Sequence, residues 1–257
     1  MKVIAIVNQK GGVGKTTSAV NLAASLGYLG RRVLLIDLDP QGNATDGYGV
    51  DKEDLPVTVK DVILDYDLDI NTAIIPTGIM GVDIIPANIE LSEVDLALIS
   101  ETKREERLKL ALRPILGDYD FIIIDCSPSL GLLTINALTA ATDVYVPIDA
   151  SYYAFGGVKQ LFRTLNKVKK LLNDDVVLSG VFITMADMRE NIAKETVERA
   201  RQLFSDAMFN TVIRRNTKLR ESPGSGQPVC LYDPNSYGAE DYLSLAKEVL
   251  KRCSNER

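Results

Sequence analysis

The sequence predicts an α/β fold: a mainly parallel, twisted sheet with helices on both faces, forming one three-layer domain over residues 1–257. Two observations favour this fold. Apolar, β-branched segments alternate with amphipathic helical segments along the chain, which is typical of a parallel sheet built from strand–helix units. In addition, the apolar runs at 3–7 and 121–124 are continuous, as in strands that are buried on both faces.

The individual elements follow in order from these patterns. Strands are predicted where an apolar, β-branched run is closed by a turn signal, at 1–7, 33–36, 82–86, 121–124, 143–149 and 176–184. Helices are predicted where apolar residues recur on one face, at 16–30, 59–64, 89–99, 104–116, 159–172, 192–204 and 238–251. Residues 46–54 are predicted to form a loop.

The composition limits the possible classes of function. The chain has 257 residues, of which 46% are hydrophobic, but no apolar stretch of about 18 residues, so we expect no membrane span. No signal peptide is expected before the first strand. The three cysteines are too widely spaced for a zinc site and fit a reducing, cytoplasmic compartment. Without histidine, any catalysis would depend on carboxylates, lysines, backbone groups and metal.

A glycine-rich segment, Asn-Gln-Lys-Gly-Gly-Val-Gly-Lys-Thr-Thr at residues 8–17, lies between the first predicted strand and helix. Glycines let successive backbone N–H groups converge, and a helix N-terminus adds partial positive charge, so the segment predicts a phosphate-binding loop. In such a loop Lys15 would reach the β- and γ-phosphates of a nucleotide, and the Thr16 hydroxyl would bind Mg²⁺. The structural alternative, a glycine-rich turn with incidental lysines, is disfavoured by the flanking strand and helix.

The segment departs from the usual pattern G-x-x-x-x-G-K-[ST] at its start, where Gln9 stands in place of glycine and Lys10 follows it. Lys10 lies five residues before Lys15, and one loop could hardly turn both lysines onto the same phosphate from the same side. We therefore expect Lys10 to serve a phosphate in a facing subunit.

These residues resemble the deviant Walker A motif of the ParA/MinD class of P-loop ATPases, K-G-G-x-x-K-[TS]. The resemblance implies that the nucleotide is ATP and that two protomers form a sandwich dimer, with Lys10 contacting the nucleotide of the other protomer. The residues that would bind ATP and its phosphates are Lys10, Gly11, Gly12, Val13, Gly14, Lys15, Thr16 and Thr17.

Acidic residues end two of the predicted strands. Ligands of an open parallel sheet lie at the carboxyl ends of its strands, so Asp37 and Asp39 are expected to project toward the phosphates, although acidic residues there are also common as turn formers. The run D-x-D-P-Q-G-N resembles the second motif of ParA-like proteins, which implies that Asp39 positions the attacking water and that Asp37 supports the metal shell. Asp125 ends the run at 121–124 as in a Walker B strand, whose carboxylate meets the Mg²⁺ shell. The family usually continues with D-C-P-P, whereas this chain has Ser127.

The segment at 211–223 resembles the ParA-like pattern I-P-R-N-x-x-L-x-E-A-P, with Arg214 in place of the proline. In the family this loop lies over the adenine ring, which implies that Asn216 hydrogen-bonds the base.

Charge is distributed unevenly along the chain. The net charge is −6, yet residues 159–220 carry 13 Lys and Arg against 7 Asp and Glu. This asymmetry predicts an anionic partner for one face, with ordinary solvated helix surface as the alternative. The resemblance implies that the partner is DNA, bound without sequence preference. The residues expected to contact its phosphates are Arg189, Arg215, Lys218 and Arg220, with bracing of the adjoining adenine loop as the alternative role of Arg215.

Matches over nearly the whole chain narrow the resemblance to ParA- or Soj-like partition ATPases. This implies that Mg-ATP drives homodimerisation and DNA binding on the nucleoid, and that a ParB-like centromere-binding protein stimulates an otherwise slow hydrolysis. Because the first strand starts at residue 2, no N-terminal helix-turn-helix domain is expected.

Two other functions share this nucleotide-binding core. A MinD-like membrane-associated regulator would carry a basic amphipathic extension at its C-terminus. Here the apolar face of the last helix is expected to pack on the sheet, and residues 253–257 are too few and too polar for a membrane interface. A redox ATPase of the nitrogenase iron-protein type would need paired cysteines, and this pattern is absent from the sequence.

Overall fold

Seven strands form one sheet in the computed structural model, which describes residues 1–255. The strands are β1 (Lys2–Ile6), β2 (Val33–Leu38), β3 (Ile75–Pro76), β4 (Val82–Ile85), β5 (Phe121–Cys126), β6 (Asp143–Asp149) and β7 (Val177–Thr184). Their order is β3-β4-β2-β5-β1-β6-β7, with the short β3 antiparallel to β4 and the other pairs parallel. The predicted mainly parallel sheet is confirmed.

Helices cover both faces of the sheet, as predicted. Five of them lie on one face: α1 (Lys15–Tyr28), α2 (Asn43–Gly47), α9 (Lys218–Glu221), α10 (Val229–Tyr232) and α11 (Tyr237–Asn255). The opposite face carries α3 (Val59–Leu64), α4 (Val94–Ala97), α5 (Arg107–Leu112), α6 (Leu132–Ala140), α7 (Val158–Leu171) and α8 (Asn191–Phe204). Short 3-10 turns occur at Ile70–Ala73, Ile89–Glu93, Arg113–Ile115, Ser205–Ala207 and Ser222–Ser225.

The sheet has a separate apolar core on each face. The strand residues of β1, β2 and β5 are almost all fully buried, because their alternate side chains point into one core or the other. On the first face α11 buries Tyr242, Leu245, Ala246 and Val249, as the amphipathic pattern of the last helix predicted. The last two residues of the polar stretch 253–257 lie outside the described residues. No helix within residues 1–255 has the length and apolar character needed to cross a bilayer.

The register of the central strands brings functional residues to one edge. β1 lies between β5 and β6, and Asp37 at the end of β2 pairs with Asp125 at the end of β5. The glycine-rich segment at 8–17 leaves β1 at the same edge, because parallel strands have their carboxyl ends together.

Several predicted boundaries were wrong. The supposed loop 46–54 begins within helix α2, because residue Thr45 is fixed by hydrogen bonds to Asp37. The predicted helix 104–116 reduces to α5 and a 3-10 turn that contains Pro114, which cannot continue the α-helical hydrogen bonding. The predicted helix 89–99 is a 3-10 turn followed by one turn of α4. Helix α6 was missed because its sequence is apolar on nearly all sides and shows no amphipathic period.

Candidate nucleotide-binding site

The glycine-rich segment forms an open loop between β1 and α1. Gly12 and Gly14 have φ angles of 72° and 86°, in the left-handed region that glycine adopts at little cost. The first α1 hydrogen bond runs from the Ser18 N–H to the Gly14 carbonyl at 2.9 Å. Within residues 1–255, the N–H groups of Gly12, Val13 and Gly14 find no acceptor. The loop therefore presents unpaired N–H groups beside a helix N-terminus, which is the arrangement that binds phosphate.

Buried polar side chains fix this loop to two neighbouring strands. Asn8 donates from Nδ2 to the Pro147 carbonyl of β6 at 2.7 Å and accepts from the Lys10 N–H at 3.0 Å. Thr184, at the end of β7, donates from Oγ1 to the Val13 carbonyl at 2.8 Å. The loop is therefore held in shape by the protein before any ligand binds, which reduces the entropy cost of binding.

Lys15 lies inside the loop and is only 6% exposed. Its Nζ donates to the Lys10 carbonyl at 3.4 Å, and no carboxylate of the described residues forms an ion pair with it. Burial lowers the pKa of Lys15, while the charges of Asp125 and Asp39 act in the opposite direction. A buried ammonium group without a directly paired anion is a strong site for a negatively charged ligand.

The side chain of Lys10 contacts the end of β6. Its Nζ donates to both carboxylate oxygens of Asp149 at 2.8 Å and to the Ser151 Oγ at 3.1 Å. Asp149 ends β6, whereas the carboxylate that acts most strongly on Lys15, Asp125, ends β5. The Lys10 ammonium group is therefore held beside the end of β6, on one side of β1.

Asp125 is fully buried, and neither carboxylate oxygen has a hydrogen-bond partner among the described residues. Burial raises the pKa of this carboxyl well above its usual range, and the neighbouring Asp37 raises it further, whereas Thr16 and Lys15 lower it. An orphaned buried carboxylate near a threonine hydroxyl suits a hard cation such as Mg²⁺, which takes oxygen ligands and keeps several waters. Within residues 1–255, no group of three Asp, Glu, His or Cys side chains is placed to hold a metal ion.

Asp37 has a structural role that the sequence did not reveal. Its Oδ2 accepts from the Thr45 N–H and from the Thr45 Oγ1, both at 2.8 Å, and its Oδ1 accepts from the Asp39 N–H at 3.2 Å. Burial raises the pKa of Asp37 to about 6 despite these bonds. Asp37 therefore holds α2 and the preceding turn against the end of β2. Asp37 and Thr45 are eight residues apart, and no local sequence motif indicates that they are bonded.

Asp39 lies beyond the end of β2, beside this anchored turn. It is 9% exposed, and its Oδ1 accepts from the Gln41 N–H at 3.0 Å while its backbone carbonyl accepts from the Gly42 N–H at 2.9 Å. The turn therefore fixes the direction of the Asp39 carboxylate. Its charge acts on Lys15, so the structure brings Asp39 into the same electrostatic environment as the phosphate-binding loop.

Comparison with known proteins identifies the family. A family described as an AAA domain matches residues 1–178. The sporulation initiation inhibitor protein Soj of Bacillus subtilis is 51% identical over 248 residues, which cover 96% of this chain and 98% of Soj. The chromosome partitioning protein ParA of Myxococcus xanthus is 46% identical over 251 residues, covering 98% of this chain and 88% of that ParA. The chain belongs to the ParA/Soj family of partition ATPases.

Solved structures share the fold of this ParA/Soj family member. Cobyrinic acid a,c-diamide synthase of Mycobacterium smegmatis, solved with ADP and magnesium, has a TM-score of 0.87 and 37% identity, covering 100% of this chain and 97% of that chain. The septum site-determining protein MinD of Pyrococcus horikoshii, solved with Mg-ADP, has a TM-score of 0.81 and 27% identity, covering 100% of this chain and 98% of that chain. The identity to Soj exceeds the identity to MinD by a wide margin.

Asn216 is the residue that the resemblance predicts to hydrogen-bond the adenine base. It lies in a loop beside the end of the sheet. The N–H of Arg215 donates to the Ala186 carbonyl at 2.9 Å, just after the end of β7. The Met185 side chain in turn lies beside Gly14 of the phosphate-binding loop. Asn216 is thus brought to the β7 side of that loop. A separate cavity of about 760 Å³ borders Thr16 and Thr17 between the 43–51 and 222–227 segments, and Asn216 is not in its lining.

The four basic residues that are predicted to contact DNA form two groups, which differ in whether the side chain is in an ion pair. Arg189 forms a bidentate ion pair with Asp187, with Nη2 to Oδ2 at 2.5 Å, and its hydrogen bonds lower the pKa of Asp187 below its usual range. Lys218 pairs with Glu221 at 2.9 Å. Arg215 and Arg220 are exposed and form no ion pair within residues 1–255. The structure therefore neutralises two of these charges locally and leaves two available.

Proposed function

We propose that this protein is a DNA-segregation ATPase in which Mg-ATP drives formation of a sandwich dimer that binds DNA without sequence preference. Hydrolysis, slow in the isolated protein and stimulated by a ParB-like centromere-binding partner, returns the protein to its monomer and releases the DNA. The expected location is the cytoplasm, on the nucleoid.

The separation of the two lysines carries this proposal. Lys15 is buried in the loop, where its charge can meet the β- and γ-phosphates of ATP bound to the same chain. Lys10 is held beside the end of β6 by Asp149 and is more exposed, with 31% of its side chain accessible. A lysine in this position can exchange its partly exposed ion pair with Asp149 for a phosphate on a second copy of the chain.

The acidic residues take separate roles in the proposed reaction. Asp125 and the Thr16 hydroxyl would hold Mg²⁺, which would neutralise charge on the phosphates as the bond to the γ-phosphate breaks. Asp39 would orient the attacking water. Asp37, whose oxygens are already occupied by Thr45 and Asp39, would support this site by fixing the turn that carries Asp39. No histidine is present to act as a base, which supports a slow basal rate.

DNA binding would use the basic faces of the chain. Arg215 and Arg220 form no ion pair within residues 1–255, and Arg189 and Lys218 can exchange their exposed ion pairs for phosphates, since such surface pairs contribute little stability. Helix α7 adds a further cationic surface, because it carries five Lys and Arg and no acidic residue. Contacts of this kind are electrostatic, so binding would be salt-dependent and indifferent to base sequence.

The MinD-like alternative receives less support. Its membrane attachment would need an amphipathic surface that is free of the protein. The apolar side of α11 is instead buried against the sheet, with Tyr242, Leu245, Ala246 and Val249 each at most 1% exposed.

Nucleotide binding, dimerisation and DNA retention separate these functions experimentally. Lys15→Ala is expected to abolish Mg-ATP binding, whereas Lys10→Ala is expected to bind ATP as a monomer that neither dimerises nor turns over. Equilibrium binding and light scattering with ATP measure the two effects. The wild type is expected to retain DNA at low salt with ATP, less with ADP and least without nucleotide. Equal retention in all three states, or retention on anionic vesicles without retention on DNA, would contradict the proposed function.

A further inference from the structure

The loop that carries Asn216 is clamped to the start of α11 by Arg214. The Arg214 guanidinium donates from Nε to both carboxylate oxygens of Asp241 at 3.0 Å and from Nη2 to Asp241 Oδ1 and Glu240 Oε2, both at 2.6 Å. The Arg214 backbone N–H donates to Asp241 Oδ2 at 2.8 Å. The guanidinium carbon also lies 4.2 Å from the centre of the Tyr237 ring. One residue thus joins the two segments through its backbone and its side chain.

This clamp is not a marginal surface ion pair. The side chain of Asp241 is only 8% exposed, and a buried carboxylate is costly unless it is both paired and hydrogen-bonded. Its hydrogen bonds to Asp241 raise the pKa of Arg214 further above the ordinary value. A proline at this position, as in the pattern that the segment resembles, has neither an N–H nor a positive charge and could make none of these contacts.

The same turn of α11 is joined to the phosphate-binding helix. Tyr242, the residue after Asp241, places its hydroxyl 2.9 Å from the Ser18 Oγ in a fully buried contact. Ser18 lies three residues after Lys15 and closes the first turn of α1 on Gly14. Adjacent residues of α11 therefore hold the 213–216 loop with one side chain and the phosphate-binding helix with the next.

The side-chain amide of Asn216 uses its oxygen in a hydrogen bond within the loop, whereas its NH₂ group has no partner within residues 1–255. Its Oδ1 accepts from the Lys218 N–H at 2.7 Å, and its Nδ2 finds no partner within residues 1–255. The first contact fixes the orientation of the amide, which leaves the NH₂ group as a donor on a loop whose backbone is tied to Ala186. A donor of this kind can recognise a ring nitrogen of a base only when the loop is held at a fixed distance from the phosphates.

We propose that Arg214 is a positioning residue for base recognition: through Asp241 and α11 it sets the position of Asn216 relative to the phosphate-binding loop. This inference rests on the proposed ATP site. It adds that the binding free energy of the adenosine part and that of the phosphates depend on different residues. The clamp contributes to binding of the adenosine part of the nucleotide and leaves binding of the phosphates unchanged.

A comparison of Mg-ATP with magnesium tripolyphosphate, which lacks base and sugar, tests this division. Arg214→Ala is expected to weaken Mg-ATP binding about ten-fold, the effect of one lost hydrogen bond, and to leave tripolyphosphate binding unchanged within about two-fold. Asn216→Ala is expected to produce a similar selective loss. Since both changes act on the same contact, the double variant should bind ATP about as weakly as either single variant.

Controls distinguish positioning from general damage. Arg214→Lys keeps a positive side chain that can pair with Asp241, so we expect it to restore part of the ATP affinity that Arg214→Ala loses. Arg201→Ala removes another ion-paired arginine, on α8, and is expected to change neither affinity. If Arg214→Ala fails to fold, Arg214→Gln supplies the measurement with a smaller loss of packing.

Three outcomes would overturn the inference: equal weakening of ATP and tripolyphosphate, no weakening of either, or additive losses in the double variant. The proposed function fails separately, when Lys15→Ala retains normal ATP binding. If the wild-type protein binds tripolyphosphate as tightly as ATP, the result is consistent with the phosphate-binding loop. It also shows that there is no base contact for Arg214 to position.

Discussion

At the scale of single residues, the site depends on buried charges that form no ion pair within residues 1–255. In that part of the chain neither carboxylate oxygen of Asp125 has a hydrogen-bond partner, and Lys15 donates only to a backbone carbonyl. Leaving such groups buried costs several kcal/mol in general, so their retention indicates a function that depends on the charge. Asp37 is the counter-example: it is just as buried, but it is fully hydrogen-bonded and acts as an anchor.

Asp39 provides the first residue-scale prediction. Asp39→Ala is expected to bind ATP and dimerise normally but to hydrolyse ATP about 100-fold more slowly or worse, because in the proposed reaction the carboxylate orients the water and does not hold the phosphates. Phosphate release in single-turnover conditions, together with light scattering, measures both properties. Hydrolysis at the wild-type rate would show that another residue positions the water.

The contact between Lys10 and Asp149 gives a second prediction. Asp149→Asn weakens the attachment of Lys10 within its own chain, so ATP-dependent dimerisation should require about two- to five-fold less protein, as expected for a partly exposed ion pair. Light scattering across a range of protein concentrations measures this shift, and Lys10→Ala in the same assay should not dimerise. A dimerisation curve that Asp149→Asn leaves unchanged, or shifts to higher concentration, would refute the prediction.

At the scale of elements, α11 joins separate segments of the chain through polar contacts at both of its ends. Its first turns hold Arg214 and Ser18 through Asp241 and Tyr242. Its last turns hold the 205–211 segment, where Arg252 donates to the carbonyls of Asp206 and Met208. Glu248, one turn earlier, accepts from the N–H groups of Asn210 and Thr211 at 2.9 and 3.0 Å. The helix therefore contributes to stability through polar contacts at both ends and apolar packing between them.

Glu248 gives a prediction for stability and its dependence on pH. Burial raises the pKa of Glu248, but hydrogen bonds from Asn210, Thr211 and Arg252 outweigh it, so the pKa lies below the ordinary 4.5. A carboxyl with a lowered folded-state pKa stabilises the fold above the unfolded-state pKa and loses this contribution as the pH falls through the folded-state value. Glu248→Gln should therefore reduce the free energy of unfolding by about 1–2 kcal/mol at pH 7.

Urea denaturation at pH 7 and at a series of values below 4.5 tests this expectation. The difference between wild type and Glu248→Gln should be complete at pH 7 and should shrink as the pH falls below 4.5. Glu198→Gln, at an exposed ion pair with Arg201 of 3.9 Å, is a matched control that should have little effect at any pH. A difference that grew on acidification would have the wrong sign for a lowered pKa.

At the scale of the whole molecule, the charge distribution separates a basic region from an acidic remainder. The net charge of −6 would repel DNA if it were spread evenly, but 13 of the 29 Lys and Arg residues lie within 159–220. Pairing two protomers doubles the number of phosphate contacts available to one DNA segment. Two linked weak sites bind much more tightly than either alone, so the proposed nucleotide-driven dimerisation would be a sufficient switch for the proposed DNA binding.

Replacing Arg215 and Arg220 together by Ala tests this switch. We expect weaker DNA binding at every sequence and a salt slope reduced by about four in a dimer, since each protomer loses two phosphate contacts. DNA retention with ATP at several salt concentrations provides the measurement, with dimerisation followed in parallel. Arg113→Ala, an exposed arginine outside the basic region, is the control. If the double variant keeps the wild-type slope, replacement of Arg163, Lys167 and Lys170 on α7 tests the other basic surface.

The sequence alone determined the parts of this protein whose signals are local. The phosphate-binding loop, the central strands and the acidic residues that end them could be predicted because glycine freedom, apolar runs and strand ends are encoded within about ten residues. The order of alternating strands and helices likewise predicted the parallel sheet. The same local signals predicted where Lys15 and Asp125 lie, at the start of α1 and near the end of β5.

Tertiary structure decided the contacts that join residues far apart in the chain. Lys10 meets Asp149 across 139 residues, and Arg214 meets Asp241 across 27 residues. Neither spacing follows a helical or strand period, so no pattern in the sequence marks these pairs. The same holds for the bonds from Thr45 to Asp37, which anchor α2 and which the expected role of Asp37 in the metal shell did not include. A side chain's role depends on which partners the fold brings within hydrogen-bond distance, and that distance is set by packing of the whole sheet and its helices.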